Sequence, residues 1–134
     1  DRVTWINKPL NILKMQDAAQ ALIGEQDFSS FRAANCQSST PMRNITSAFT
    51  YNNGRFIIFE IEANAFLYHM VRNIIGTLID IGSAKISPID IKKILQKKDR
   101  KACSKMAPAN ALFLWKVSYP SKYKILLNSE SILM

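Results

Sequence analysis

Histidine, cysteine and glycine are scarce in this sequence of 134 residues, which contains one histidine, two cysteines and four glycines. A single histidine, His69, argues against a histidine-based metal cluster and against a Ser-His-Asp triad complete within the chain. The two cysteines, Cys36 and Cys103, are far apart and lack CxxC spacing. They therefore favour reduced thiols in a cytoplasmic protein over a disulfide framework.

Long apolar runs are also missing. Phe66–Ile81 comes nearest to the roughly 18 residues of a membrane span, but polar side chains interrupt it. No secretory signal is visible. Because the chain opens on Asp1 rather than Met, and its first residues resemble mid-chain sequence, we expect it to be part of a longer protein. The 48% hydrophobic content is typical of one globular domain.

Acidic residues are outnumbered by basic ones, ten to eighteen, which gives a formal net charge of +8. The excess is regional, because residues 85–124 contain eleven Lys or Arg and only two acids. Such clustering favours a polyanionic partner, with nucleic acid first and an anionic membrane surface second. The alternative is a lysine-rich helix face that is simply solvated.

Two segments rich in β-branched and aromatic residues predict strands, Arg43–Tyr51 and Arg55–Ala63. A last strand is predicted over Leu112–Tyr119, and Val3–Lys8 is a candidate for a first one. Asn53-Gly54, between Arg43–Tyr51 and Arg55–Ala63, is a strong type I′ hairpin signal. The polar stretch from Glu25 to Pro41 predicts a loop, and residues 125–134 are predicted to be a C-terminal tail.

Apolar periodicity predicts three helices: one from Pro9 to Gly24, one over Ala65–Ile81 capped by Gly82, and a lysine-rich one from Ser87-Pro88 to Lys97 or Lys98. The resulting order is β-α-β-β-α-(α)-β. It predicts an α+β domain over residues 1–124, with an antiparallel sheet backed by helices in a ferredoxin-like or RRM-like style.

Arg72 is the most informative residue, because it lies in the middle of the longest apolar run. A guanidinium stays charged and is costly to bury unpaired, and the preceding turn, Leu67–His69, supplies no anion. Arg72 therefore either points to solvent or reaches a carboxylate or phosphate brought from elsewhere. Gly76, one turn later, would let another segment or a ligand approach closely, or it is an ordinary helix-packing glycine.

A second candidate is the loop that carries Phe28, Ser29, Phe31 and Arg32. Aromatic rings beside an arginine can stack on unpaired bases, as in readers of single-stranded RNA. The alternative is that the two rings anchor the loop into the core. His69, taken alone, is more often a structural histidine than a catalyst.

The chain resembles the C-terminal half of the TruA family of tRNA pseudouridine synthases, from about Trp5 to Tyr123. Four blocks carry the resemblance, in order and at plausible spacing: Ala18–Arg32 (AAQALIGEQDFSSFR), Phe59–Gly76 (FEIEANAFLYHMVRNIIG), Ala107–Leu114 (APANALFL) and Val117–Pro120 (VSYP). The second block is long and unusual enough to make chance similarity improbable.

The resemblance implies an enzyme without cofactor or metal that converts uridines on the 3′ side of the tRNA anticodon stem-loop to pseudouridine. In this chemistry an aspartate attacks, and the family arginine that pairs with it matches Arg72. The family's pocket leucine matches Leu112. His69 and Asn73 belong to the same block as Arg72 and are further candidates for substrate binding. The resemblance also implies a homodimer with tRNA spanning both subunits.

Two departures from the family pattern limit what this chain can do. The attacking aspartate belongs to an Arg-Thr-Asp motif, which does not occur here, and Ala111 stands where the family usually has glycine. We therefore expect the 134 residues alone to be inactive. The alternatives are a non-catalytic RRM-like RNA-binding module, faintly suggested by Gly54-Arg55-Phe56, and a structural dimerisation domain.

Overall fold

The computed structural model describes residues 3–6, 8–54, 56–108, 112–116, 121–129 and 132–133. The helices are α1 (Ile12–Gln20), α2 (Met70–Gly82) and α3 (Asp90–Lys97). The strands are β1 (Val3–Ile6), β2 (Leu10–Asn11), β3 (Gly24–Asp27), β4 (Met42–Asn53), β5 (Phe56–Ala63), β6 (Leu112–Lys116), β7 (Ser121–Ser129) and β8 (Ile132–Leu133).

The main sheet has the strand order β1-β7-β5-β4-β3, and β6 also pairs with β7. The β7–β5, β5–β4, β4–β3 and β6–β7 ladders are antiparallel, whereas β1 runs parallel to β7. A small separate ladder joins β2 and β8. Helix α1 packs against β4 and against α2, so helices back the sheet. This confirms the predicted α+β class.

The β4–β5 hairpin confirms the turn signal in the sequence. Asn53 pairs with Phe56, and Gly54 between them has a φ of +62°, which suits glycine in a tight turn. Alternation along β4 buries Ala48 and Thr50, which lie on the helix side. Phe49 and Tyr51 therefore lie on the opposite face.

Two predicted irregular segments are strands. Gly24–Asp27 pairs with β4 as an edge strand, although Glu25 was predicted to begin a loop. Residues 125–129 lie in β7, in the middle of the sheet between β1 and β5, so they are not a tail. In both cases the pairing partner lies far along the chain, and local composition does not reveal it. The predicted end of the last strand, after Lys116, lies outside the described residues.

The helix ends follow recognisable caps. Helix α1 begins at Ile12, later than predicted, because the Asn11 side chain accepts a hydrogen bond from the Lys14 N–H at 3.1 Å. Ahead of α3, the Ser87 N–H donates to the Asp90 carboxylate at 2.8 Å. In the part of the chain that the structure describes, no helix is long and apolar enough to cross a bilayer.

Candidate active site

Helix α2 begins at Met70 rather than at Ala65, which corrects the predicted start. His69 has a φ of +62° and a ψ of 7°, in the left-handed region, and this turn separates the helix from the loop before it. Apolar residues lie on both sides of this point, so hydrophobic periodicity does not reveal the turn. Arg72 consequently lies in the first turn of α2 instead of mid-helix.

Arg72 is fixed by a reciprocal pair of hydrogen bonds with Ala107. Its Nε donates to the Ala107 carbonyl at 2.9 Å, and the Ala107 N–H donates to the Arg72 carbonyl at 3.1 Å. The side chain is half-buried. Among residues 8–54 and 56–108, no carboxylate forms an ion pair with it. The guanidinium is therefore held in place by a neutral group, with its charge unpaired by those residues.

Gly76 makes this arrangement sterically possible. A Cβ at position 76 would lie 2.0 Å from the Lys105 carbonyl oxygen and 3.3 Å from the Ala107 nitrogen. Residues 105–107 therefore cross α2 in direct backbone contact, one turn beyond Arg72. The predicted close approach at Gly76 is confirmed, and the approaching group is a chain segment.

His69 lies between Arg72 and an aromatic ring. Its Nε2 is 3.5 Å from Arg72 Nη1, and because arginine only donates, Nε2 is the acceptor in this contact. The imidazole stacks on the Tyr68 ring, with centroids 3.9 Å apart and planes at 24°. Phe66–Arg72 lines a cleft of about 320 Å³.

The start of α2 adds backbone donors to the same cleft. The Met70 N–H bonds to the Leu67 carbonyl and the Asn73 N–H to the His69 carbonyl, both at 3.0 Å. Among the described residues, no acceptor bonds to the N–H groups of Val71 and Arg72. A helix N-terminus carries a partial positive charge, and here the Arg72 guanidinium reinforces it. The site is therefore suited to an anion, such as a carboxylate or phosphate.

The sequence also matches a known protein family. The sequence model of the family described as tRNA pseudouridine synthase matches residues 18–120. The chain belongs to this family.

Named relatives give the same result. The chain is 45% identical over 126 residues to tRNA pseudouridine synthase A of Hydrogenovibrio crunogenus, covering 93% of this chain and 48% of the relative. It is 48% identical over 116 residues to the protein of that name from Francisella tularensis subsp. novicida, and 50% identical to that from Francisella philomiragia. These two alignments cover 87% of the chain and 45% of each relative. The chain thus spans about half the length of the curated relatives it matches.

The loop that was predicted to contact RNA, residues 28–32, is anchored in the core. Phe28 and Phe31 are fully buried, with ring centroids 6.4 Å apart. They anchor the loop into the core, which was the alternative interpretation, and in this structure neither ring is accessible to a base. Ser30 between them is also buried, and its hydroxyl donates to the Ile94 carbonyl at 2.5 Å.

Arg32 and Ser29 form hydrogen bonds within the same loop. Arg32 Nη2 donates to the Cys36 carbonyl at 3.3 Å and to the Ser38 carbonyl, so this nitrogen closes a local turn. The Ser29 N–H donates to the Asp27 carboxylate at 2.8 Å. Burial alone would raise the pKa of Asp27, but hydrogen bonds from Ser29 and the nearby charges of Lys98 and Arg32 lower it overall.

Asn73 and Leu112 complete the predicted site residues. Asn73 is 1% exposed, and its Nδ2 donates to the Phe31 carbonyl at 2.8 Å, so it joins α2 to the buried loop rather than facing the cleft. Leu112 begins β6, opposite Ile125 of β7. Its pocket role stays a prediction.

The basic region forms a second concave surface beside this site. A cleft of about 400 Å³ lies between α3 and residues 102–105, and its charged lining comprises Lys85, Lys93, Lys97, Lys105, Asp80 and Asp90. Lys93 lies 3.7 Å from Asp90. Lys105 lines this cleft, and the same segment, residues 105–107, packs on Gly76 and bonds to Arg72. No group of three or more potential metal ligands occurs among the described residues.

Proposed function

We propose that this chain supplies one wall of the active-site cleft of a tRNA pseudouridine synthase that modifies uridines in the anticodon stem-loop. The observation that carries the proposal is Arg72. It is hydrogen-bonded to Ala107, lines a cleft at a helix N-terminus, and has no carboxylate partner among residues 8–54 and 56–108. Such a site can bind an anion that comes from outside these residues.

The anion that fits best is the attacking aspartate carboxylate. In the proposed reaction the carboxylate bonds to the ribose carbon that carries the uracil as the glycosidic C–N bond breaks, and the uracil turns. A uracil carbon then bonds to the same ribose carbon as the carboxylate leaves. That uracil carbon loses its proton, and the released ring nitrogen gains one. Arg72 would keep the carboxylate ionised and aimed, through charge-assisted hydrogen bonds. The target uridine must leave its stack to reach the cleft.

Two features support a carboxylate that comes from outside these residues. The sequence contains no Arg-Thr-Asp motif. The ion pair found among the described residues joins Lys93 to Asp90, away from Arg72. We therefore propose that the 134 residues alone lack the nucleophile and do not catalyse, and that Leu112 contributes to the base pocket.

We also propose that the basic surface binds tRNA. The lysines around the 400 Å³ cleft and the Arg72 site share the segment that ends at Ala107, so an RNA backbone can pass from one to the other. Neutralising phosphates with lysine makes affinity strongly dependent on salt. A cytoplasmic homodimer that binds tRNA across both subunits is the assembly that the family resemblance favours.

The test combines this chain with the missing half. The N-terminal half of the Hydrogenovibrio crunogenus relative would be fused ahead of it, and an anticodon-arm RNA labelled with tritium on the uracil carbon that bonds to ribose would be the substrate. We expect tritium release from the fusion and none from either half alone. A fusion that folds and binds the RNA without tritium release would contradict the proposed function.

A second candidate function, a non-catalytic RNA-binding module of RRM type, is favoured by one observation. Phe49 is 37% exposed on the outer sheet face and stacks on Tyr51, with centroids 5.6 Å apart and planes at 23°. Aromatic pairs on a sheet are the RRM platform for bases. If this function is correct, Phe49→Ala weakens RNA binding while Arg72→Ala leaves it unchanged, and tritium release is absent throughout.

A further inference from the structure

We propose that Tyr68 and His69 form a nucleobase-stacking subsite beside Arg72, which takes a base next to the target nucleotide. This inference rests on the proposed function, since it assigns a substrate contact within the same cleft. Tyr68 was absent from the residues that the sequence pattern predicted for the site.

Tyr68 is 53% exposed, although one face of its ring lies against His69 at a centroid distance of 3.9 Å. The open surface must therefore include the opposite face or the edge of the ring. An aromatic ring already supported on one side presents a rigid apolar surface to solvent, and this is the form that base-stacking side chains take.

Tyr68, His69 and Arg72 lie side by side. Tyr68 stacks on His69, and His69 Nε2 lies 3.5 Å from Arg72 Nη1. A base on the outer face of Tyr68 is thus separated from the guanidinium by two stacked rings. That separation suits a nucleotide beside the one that reacts, with the target itself placed at Arg72.

The backbone that carries the two rings is held in a defined conformation. His69 has a left-handed conformation, which is uncommon for a residue other than glycine, and it sets the direction in which the rings leave the chain. The loop is held from the other side as well, because the Ala33 N–H donates to the Tyr68 carbonyl at 3.2 Å. A ring fixed before binding loses little conformational entropy when a base stacks on it.

The experiment uses the complete gene product and an anticodon-arm RNA with 2-aminopurine beside the target uridine. We expect Tyr68→Leu to raise KM for the RNA by roughly 5- to 150-fold, the range for one base–aromatic stack, with a smaller change in kcat. Tyr68→Phe keeps the ring and should retain both KM and the stacking-dependent quenching of 2-aminopurine. Leu13→Ala removes an exposed apolar side chain on α1, outside this cleft, and should leave KM unchanged.

Each outcome is decisive. An active enzyme in which Tyr68→Leu matches wild type in KM and in quenching overturns the stacking subsite but leaves the proposed function intact. A loss of activity shared equally by Tyr68→Phe and Tyr68→Leu also overturns it, because the hydroxyl rather than the ring would then matter. A wild-type protein that neither binds nor modifies the RNA overturns the proposed function, and the subsite falls with it.

Discussion

Two segments of this protein carry a pair of rings followed by an arginine. In one of them both rings are buried, and in the other a ring is exposed to solvent. In the first loop Phe28 and Phe31 are fully buried, with ring planes at 50°. In the second, Tyr68 is 53% exposed and stacks nearly parallel on His69. Rings near an arginine thus anchor one loop and line a cleft in the other, which shows that composition alone does not identify a binding surface.

The two arginines differ in the same way. Arg32 donates to carbonyls four and six residues ahead of it, so it stabilises its own loop. Arg72 uses Nε to bond to Ala107, which lies 35 residues away, and its Nη1 lies 3.5 Å from His69 Nε2. Each arginine is thus held through one nitrogen, but Arg32 is held within its own loop and Arg72 is held beside a cleft.

The largest expected effect is on the free energy of unfolding, and it distinguishes the buried rings from the exposed one. Phe31→Ala should lower the free energy of unfolding by about 3–5 kcal/mol, since it leaves a cavity in the core. Tyr68→Ala should change it by no more than about 0.5 kcal/mol, because the ring is largely exposed. Urea denaturation of the complete gene product measures both, and equal losses would remove the distinction between the two loops.

The next effect distinguishes the arginines. Arg72→Lys should reduce turnover by a factor of about 10²–10³, the scale for losing one prepositioned donor, while most tRNA affinity is kept. Arg32→Lys is the matched control, and we expect it to lower stability by about 1–3 kcal/mol without changing turnover per folded molecule. Near-normal turnover by Arg72→Lys would contradict the ion-pair role.

A smaller effect tests what holds Arg72 in place. In Gly76→Ala the added methyl group meets the Lys105 carbonyl, so residues 105–107 must shift, and we expect a cost of about 1–3 kcal/mol. Turnover should fall as well, because the bonds to Ala107 depend on that segment. Gly54→Asn is the control, since nothing lies within 4 Å of its Cβ and Asn tolerates a positive φ. Unchanged stability in Gly76→Ala would show that the crossing adjusts freely.

The elements whose signals are local were predicted well. The hairpin at Asn53-Gly54 follows from turn chemistry, and the close approach at Gly76 follows from a glycine inside an apolar helix. What the sequence did not reveal depends on distant partners or on a single backbone angle. Strand β7 is defined by its pairing with β5. The start of α2 is defined by the left-handed His69, which has apolar residues on both sides in the sequence.

The burial of the loop that carries Phe28 and Phe31 also depends on distant partners. The Ser30 hydroxyl bonds to Ile94, 64 residues away, and Asn73 bonds to Phe31, 42 residues away. These contacts decide that Phe28 and Phe31 face inward, and no pattern near residue 28 contains them. Aromatic spacing therefore left two alternatives open, and long-range hydrogen bonding selected one.

A third aromatic pair extends the comparison and gives the smallest expected effect. Phe49 and Tyr51 stack on the outer sheet face, and the Tyr51 hydroxyl donates to the Glu60 carboxylate at 2.5 Å. Burial and this hydrogen bond raise the pKa of Tyr51 to about 12. Unfolded tyrosine titrates near 10, so the folded state holds the proton more tightly.

The sign of the pH dependence follows from that difference. Below a pH of about 10 the stabilising contribution of the Tyr51 hydroxyl is fully present, and it is lost as the pH rises from about 10 towards 12. The stability difference between wild type and Tyr51→Phe should therefore be constant up to pH 10 and shrink above it. If the difference does not shrink above pH 10, the hydrogen bond to Glu60 does not hold the proton, and the third pair is an open surface like the second.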